Sequence, residues 1–231
     1  MKFVLGIWLA LAAFLHAGRL EFESRLREVH ASADAVTVIA DFNFKNTSDK
    51  PVSIANTDSG CSCLGVEVSG GKLSYAPGES GLIRATFEVG NFSGIVDKVI
   101  ALWLDKDPLD QPSQTLTVRV HVPVLVVLEP KTVRWDLNGK PEPQTIGIRM
   151  AEGETIRVLS VKSSSPGFSL DLKTLEEGRK YDLVVTPLAM TAPSLAVVRI
   201  ETDCKIARHK THQGFAVVAK PPAGQAETKK P

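Results

Sequence analysis

Apolar and polar residues alternate along most of the chain, and a period of two predicts strands. In the run 36–44, Val36, Val38, Ala40, Phe42 and Phe44 share one face, while Asp41 and Asn43 point the other way. Ile83, Ala85, Phe87 and Val89 alternate with Arg84, Thr86 and Glu88, and Leu116, Val118, Val120 and Val122 alternate with Thr117, Arg119 and His121. Turn formers separate these runs: Asn46-Thr47-Ser48-Asp49, Pro77-Gly78-Glu79 and Asn91-Phe92-Ser93-Gly94. Short strands with turns at regular spacing predict an all-β chain of sandwich type.

After Pro130 the pattern starts again. Trp135 and Leu137 open it, and Ile146-Gly147-Ile148-Arg149-Met150, Phe168 to Leu172, Tyr181 to Val185 and Leu195 to Arg199 continue it. The halves read as a degenerate repeat offset by about 98 residues, with Phe87 on Val185, Asp105 on Asp203, Thr117 on Phe215 and Val120 on Val218. Two sandwiches in tandem are therefore expected, one over 18–128 and a second over 129–220, joined through the apolar run Val124 to Leu128. So short a connector would limit hinge motion. Residues 221–231, with Pro221-Pro222-Ala223-Gly224, read as a disordered tail.

The first residues point to export. Met1-Lys2 is a positive start, Phe3 to Leu15 is an apolar run, and Ala17 is a small residue suited to cleavage before Gly18. The run is shorter than the roughly 20 residues a membrane-spanning helix needs, so a signal peptide at 1–17 and no later membrane span are expected. The 27 Lys and Arg oppose 26 Asp and Glu, and cleavage removes Lys2, leaving a formal charge of zero. A neutral mixed-sign chain has no general attraction for nucleic acid or anionic lipid.

The distinctive chemistry lies in Cys61-Ser62-Cys63. In an extended strand such a pair has Cα atoms about 6.5 to 7 Å apart, at the limit for a disulfide, but Ser59-Gly60 and Gly65 could bend the chain and bring them closer. Export favours oxidation. A Cys61–Cys63 disulfide, a two-thiolate site for a soft ion such as Cu(I), and thiol exchange or redox sensing all fit, as do separate unreactive cysteines. The motif lacks the Cys-x-x-Cys helix-start spacing that lowers a thiol pKa. Cys204 makes the count odd, so it is a possible free thiol, or a long-range partner of Cys61 or Cys63. Cys204, His209 and His212 could be metal ligands, yet Lys205, Arg208 and Lys210 oppose a cation, and a basic hairpin loop is the plainer reading. Asp105, Asp107 and Asp110 could gather oxygens for Ca²⁺ but lack the pattern of a helical calcium loop, so a solvated connection is expected. His30 and His121 read as surface or strand-filling residues rather than acid–base groups. No hydrolase, zinc-protease, dinucleotide or phosphate-loop motif is present. Trp103, opposite the Ile100, Leu102 and Leu104 face, is a possible interaction residue, with filling of the space between two sheets the plainer reading.

The first half resembles the bacterial domain-of-unknown-function family 1573. The resemblance rests on Phe42-Asn43-Phe44-Lys45-Asn46-Thr47, Pro51-Val52-Ser53-Ile54, the Cys61/Cys63 pair, Tyr75-Ala76-Pro77-Gly78-Glu79-Ser80-Gly81 and the strand at Gly94. It implies export and an immunoglobulin-like sandwich, and it brings no established activity. Residues 130–220 look like a diverged copy, with Ser163-Ser164-Ser165 near the place of the cysteines. The expectation is two tandem immunoglobulin-like sandwiches acting without cofactor or catalysis in the periplasm or cell envelope, where they recognise an envelope protein or component. The alternative is a soft-metal or thiol redox role at Cys61 and Cys63.

Overall fold

The structure is a computed structural model that describes residues 19–221. The signal peptide expected at 1–17 and the tail expected at 221–231, Pro221 excepted, lie outside the described residues. Strands dominate, and the helical pieces among the described residues are two three-residue 3₁₀ turns, Ser69–Gly71 and Ala207–His209. No helix among them is long and apolar enough to cross a membrane.

The chain divides into two compact units. The first is built from β1 (Leu20–Phe22), β2 (Leu26–His30), β3 (Thr37–Asn46), β4 (Val52–Asp58), β5 (Leu64–Val68), β6 (Ser74–Tyr75), β7 (Ser80–Glu88), β8 (Gly94–Leu104) and β9 (Gln114–Val122). One sheet runs β1-β3-β7-β5 and is antiparallel throughout; the other runs β2-β9-β8-β4-β6, with β2 parallel to β9. The second unit is built from β10 (Val126–Glu129), β11 (Thr132–Asp136), β12 (Gln144–Met150), β13 (Val158–Ser163), β14 (Phe168–Glu176), β15 (Lys180–Pro187), β16 (Ser194–Thr202) and β17 (Thr211–Ala219). Its sheets run β10-β12-β15-β14 and β11-β17-β16-β13, with β11 parallel to β17. Strand for strand, this is the order of the first unit without β6.

Burial follows the period of two. Phe42, Ile83, Ala85 and Phe87 in one sheet of the first unit, and Ile100, Leu102, Leu116, Val118 and Val120 in the other, are fully enclosed. In the second unit Ile146, Ile148, Leu183 and Val185 share one core with Val198, Ile200, Ala216 and Val218 of the facing sheet. Each such large aliphatic or aromatic side chain contributes about 1.5–3 kcal/mol by leaving water. Val36, expected at the head of the first strand, is 78% exposed and precedes β3, though its carbonyl still accepts from the Val89 amide (2.9 Å). The second unit takes in the chain from Val122, ahead of the boundary expected after Leu128, and β10 is hydrogen-bonded to β12 within that unit.

The offset between the halves has a concrete counterpart. The Asp105 amide donates to the Ser53 carbonyl (2.8 Å) and its carboxylate accepts from the Ser53 amide (3.1 Å). The Asp203 amide donates to the Arg157 carbonyl (3.0 Å) and its carboxylate accepts from the Arg157 amide (2.7 Å). In each unit an aspartate just past the eighth or sixteenth strand clamps the neighbouring strand in the same way.

Candidate functional site

The loop from Ser59 to Cys63 joins β4 to β5. Gly60 adopts a left-handed conformation (φ 64°), which a residue without a side chain takes without strain. Its amide donates to the Asp58 carboxylate (2.8 Å), and the Ser59 hydroxyl reaches the carbonyls of Cys61 (3.0 Å) and Leu64 (2.8 Å). From the adjacent strand the Glu88 amide donates to the Cys63 carbonyl (2.9 Å). The bend brings the cysteine Cα atoms to 5.3 Å, and Cys61 and Cys63 are joined by a disulfide. That separation lies inside the usual 4.4–6.8 Å range and below the spacing of an extended pair. Both cysteines are half-buried and Ser62 is exposed.

A ring spanning three residues restricts the unfolded chain little. Chain entropy assigns it about 1.6 kcal/mol, against about 3 kcal/mol for a 15-residue loop. With Cys61 bonded to Cys63, the long-range pairing with Cys204 is excluded, and neither sulfur is a thiolate free to hold Cu(I). Cys204 is a free thiol, 8% exposed, within the core of the second unit.

The other singled-out residues fall into place individually. Among the described residues, no three His, Cys, Asp or Glu groups come together in a way that could hold a metal ion. His209 is buried and stacks on His212 at 6.0 Å, and the Thr202 hydroxyl donates to the His209 carbonyl (2.8 Å). Burial, then the charges of Arg208 and His212, hold the His209 pKa below its ordinary value. Arg208 is not a free cation, since its guanidinium donates to the carbonyls of Ser32, Ala33 and Ala35, a segment that groups with the second unit.

Arg19 pairs with both Asp105 and Asp107, at 3.2 and 2.9 Å, and leaves the Asp105 side chain 35% exposed and that of Asp107 10%, in a connection whose Lys106 and Pro108 to Gln111 are exposed. Burial pushes the Asp107 carboxyl up, but hydrogen bonds from Ser113 and the Leu104 amide, with the charge of Arg19, win and hold it low. Asp110 is exposed. His30 stacks on His121 at 4.3 Å across the parallel β2–β9 pair, and His121 lies 3.6 Å from Glu28. Trp103 does not fill the space between sheets. Ile100, Leu102 and Leu104 take that face, so Trp103 lies half-buried on the other, opposite Asn56, and its buried indole N–H has no hydrogen-bond partner among the described residues.

Sequence reasoning missed two residues that shape the first unit. Asn46 is fully buried, donating to the carbonyls of Lys50 and Tyr75 (2.8 Å each) and accepting from the Ser48 amide (3.0 Å) and hydroxyl (2.7 Å). Gly81 leaves room for the rings of Phe44 and Tyr75. The turn signal at Asn46 and the Gly81 break in a strand were the available clues.

Residues 20–122 match the family DUF1573, described as a protein of unknown function. The match covers the first unit with its disulfide and ends at Val122, where the second unit begins. No curated protein sequence is detectably similar to the chain. Among solved structures, a protein of unknown function from Porphyromonas gingivalis W83 is 14% identical, covering 88% of this chain and all of that one, with a TM-score of 0.36. The Vibrio cholerae VesB protease is 13% identical over 47% of this chain and 33% of its own (TM-score 0.37). The YadV chaperone is 10% identical over 86% and 99% (TM-score 0.33). Likenesses this distant carry no argument about function.

Proposed function

We propose that the chain is a non-enzymatic interaction module of the bacterial periplasm or cell envelope, exported by its N-terminal signal peptide. In this reading it consists of two immunoglobulin-like sandwiches, the second a diverged copy of the first, and recognises an envelope protein by strand addition. The observation that carries the reading is the open edge of β14. That strand closes its sheet and pairs only with β15 among the described residues, in unbroken register from Phe168 to Thr174. Seven residues of regular strand offer about 23 Å of main-chain donors and acceptors to a partner. The bulge, a device that often blocks edge pairing, falls at the far end, between Thr174 and Glu176. Trp103, half-buried on the face of β8 opposite Ile100, Leu102 and Leu104, is a second contact point.

The test is site-specific photo-crosslinking in the exported protein, with the probe at Asp171 on the edge strand and, as control, at exposed Glu142 in a loop. One discrete envelope adduct from Asp171 and none from Glu142 is expected. Equal labelling at both positions, or none at Asp171, defeats the reading.

A further inference from the structure

The two units contain an internal comparison for the Cys61–Cys63 disulfide. In sheet order β4 and β5 correspond to β13 and β14, so the two loops make the same connection. In the second unit serine hydroxyls close it: Ser163 donates to the Ser165 carbonyl (2.7 Å) and accepts from the Ser165 amide (3.2 Å), and the Ser165 hydroxyl accepts from the Gly167 amide (3.2 Å). Hydrogen bonds therefore suffice for this turn. The first unit has bonds of the same kind from Ser59, Gly60 and Glu88, and the disulfide in addition. Its loop frame does not depend on the covalent link, and a three-residue ring adds little as a staple.

We propose that the Cys61–Cys63 disulfide is an exchangeable two-electron couple whose reactant is a dithiol of another protein. The buried Cys204 is enclosed in the core of the second unit, so the reacting thiols come from outside. A client thiolate attacks one of the two sulfurs, the S–S bond breaks, and a mixed disulfide forms while the other cysteine leaves as thiolate and takes a proton from water. The client's second thiol, its proton lost to water, attacks the client sulfur of the mixed disulfide and expels the remaining cysteine, which is protonated in turn. The client loses two electrons and two protons to become a disulfide; Cys61 and Cys63 gain both and become thiols. The attacking thiolate belongs to the client, so this direction does not require the Cys-x-x-Cys helix start that activates a protein's own nucleophile. The hydrogen-bonded frame keeps the two thiols adjacent, which leaves the couple reversible.

The test equilibrates native protein with mixtures of reduced and oxidised glutathione, quenches by alkylation, and reads each cysteine by peptide mass spectrometry, with circular dichroism on the same samples. Cys61 and Cys63 are expected to convert together within the range of ratios that poises glutathione itself, with Cys204 unlabelled until denaturation and the spectrum unchanged. A reduced two-cysteine peptide mixed with oxidised protein should yield one peptide disulfide per protein dithiol. Cys61→Ala and Cys63→Ala should each accumulate a glutathione adduct on the remaining cysteine; should either fail to fold, the wild-type equilibrium and the peptide reaction decide. A disulfide that stays oxidised across the series, reduction that unfolds the first unit, or a peptide left reduced overturns the proposal.

Discussion

Replacing Gly81 by alanine tests how tightly the first unit is packed beneath β7. A Cβ there would stand 2.4 Å from Cζ of Phe44, 2.5 Å from Cε1 of Tyr75 and 2.8 Å from Cε2 of Phe44. To regain ordinary contact the rings must retreat by about 1 Å. Neither is free to do so. Phe44 is 2% exposed, packs edge-on to Tyr75 with centroids 4.8 Å apart, and is backed by Phe22 at 5.4 Å. Tyr75 is equally buried, its hydroxyl donates to the Lys72 carbonyl (2.7 Å), and its own carbonyl accepts from Asn46. Overpacking of a held cluster costs about 1–3 kcal/mol, and two locked rings place Gly81→Ala in the upper part of that range. Native-state hydrogen exchange reads the first unit alone, through the amides of β3 and β7. A loss of about 2 kcal/mol appears there as roughly 30-fold faster exchange of the slowest amides. With Phe44→Leu as background the same substitution should cost less than half as much, since one obstructing ring is gone. Exchange unchanged by Gly81→Ala, or the same cost in both backgrounds, would falsify the account of a locked aromatic cluster.

Asn46→Ala strips the buried carbonyl of Tyr75 of its side-chain donor and the Ser48 amide of its acceptor, and should cost about 2–3 kcal/mol in urea unfolding of the first unit. Cys61→Ala combined with Cys63→Ala should cost no more than about 1.6 kcal/mol, with β5 keeping its exchange protection; loss of that protection would show that the disulfide builds the loop. Burial, then the charges of Arg208 and His212, lower the His209 pKa; at His212 burial, with the charge of Lys131, outweighs the raising effect of its hydrogen bond to the His209 carbonyl. A histidine whose folded pKa is lowered takes up protons more readily when unfolded. The second unit should therefore be fully stable above about pH 6.5 and lose stability as pH falls below it. His209→Gln should flatten the dependence, and an unchanged urea-midpoint profile would refute the assignment.

The strands were legible because each unit buries one face of every central strand, and that geometry writes a period of two into the sequence. The 98-residue offset read from the sequence falls on Asp105 and Asp203, whose carboxylates make the same kind of contact in the two units. Other features depend on pairings that no local pattern records. Trp103 alternates correctly with Val99 and Ala101, but two apolar faces of three residues each leave open which turns inward, and Ile100, Leu102 and Leu104 are the enclosed ones. The pairing of Asp105 and Asp107 with Arg19 leaves no local sign, because that cation lies far away in sequence.

The cysteine loop shows the same limit from the other side. Its residue types announced a bend and a possible bond, yet the spacing alone sat at the margin of what a disulfide spans. What resolves it is a set of acceptors and donors around the turn: the Asp58 carboxylate, the Ser59 hydroxyl and the Glu88 amide of the neighbouring strand. The matching loop at Ser163-Ser164-Ser165 performs the same connection with hydroxyl and backbone hydrogen bonds and no covalent link. Two turns of one topology, one with a covalent link and one without, separate what the fold requires from what the cysteines add. The fold requires a turn held by side-chain oxygens. The sulfur–sulfur bond is an addition to it, worth about 1.6 kcal/mol of chain entropy.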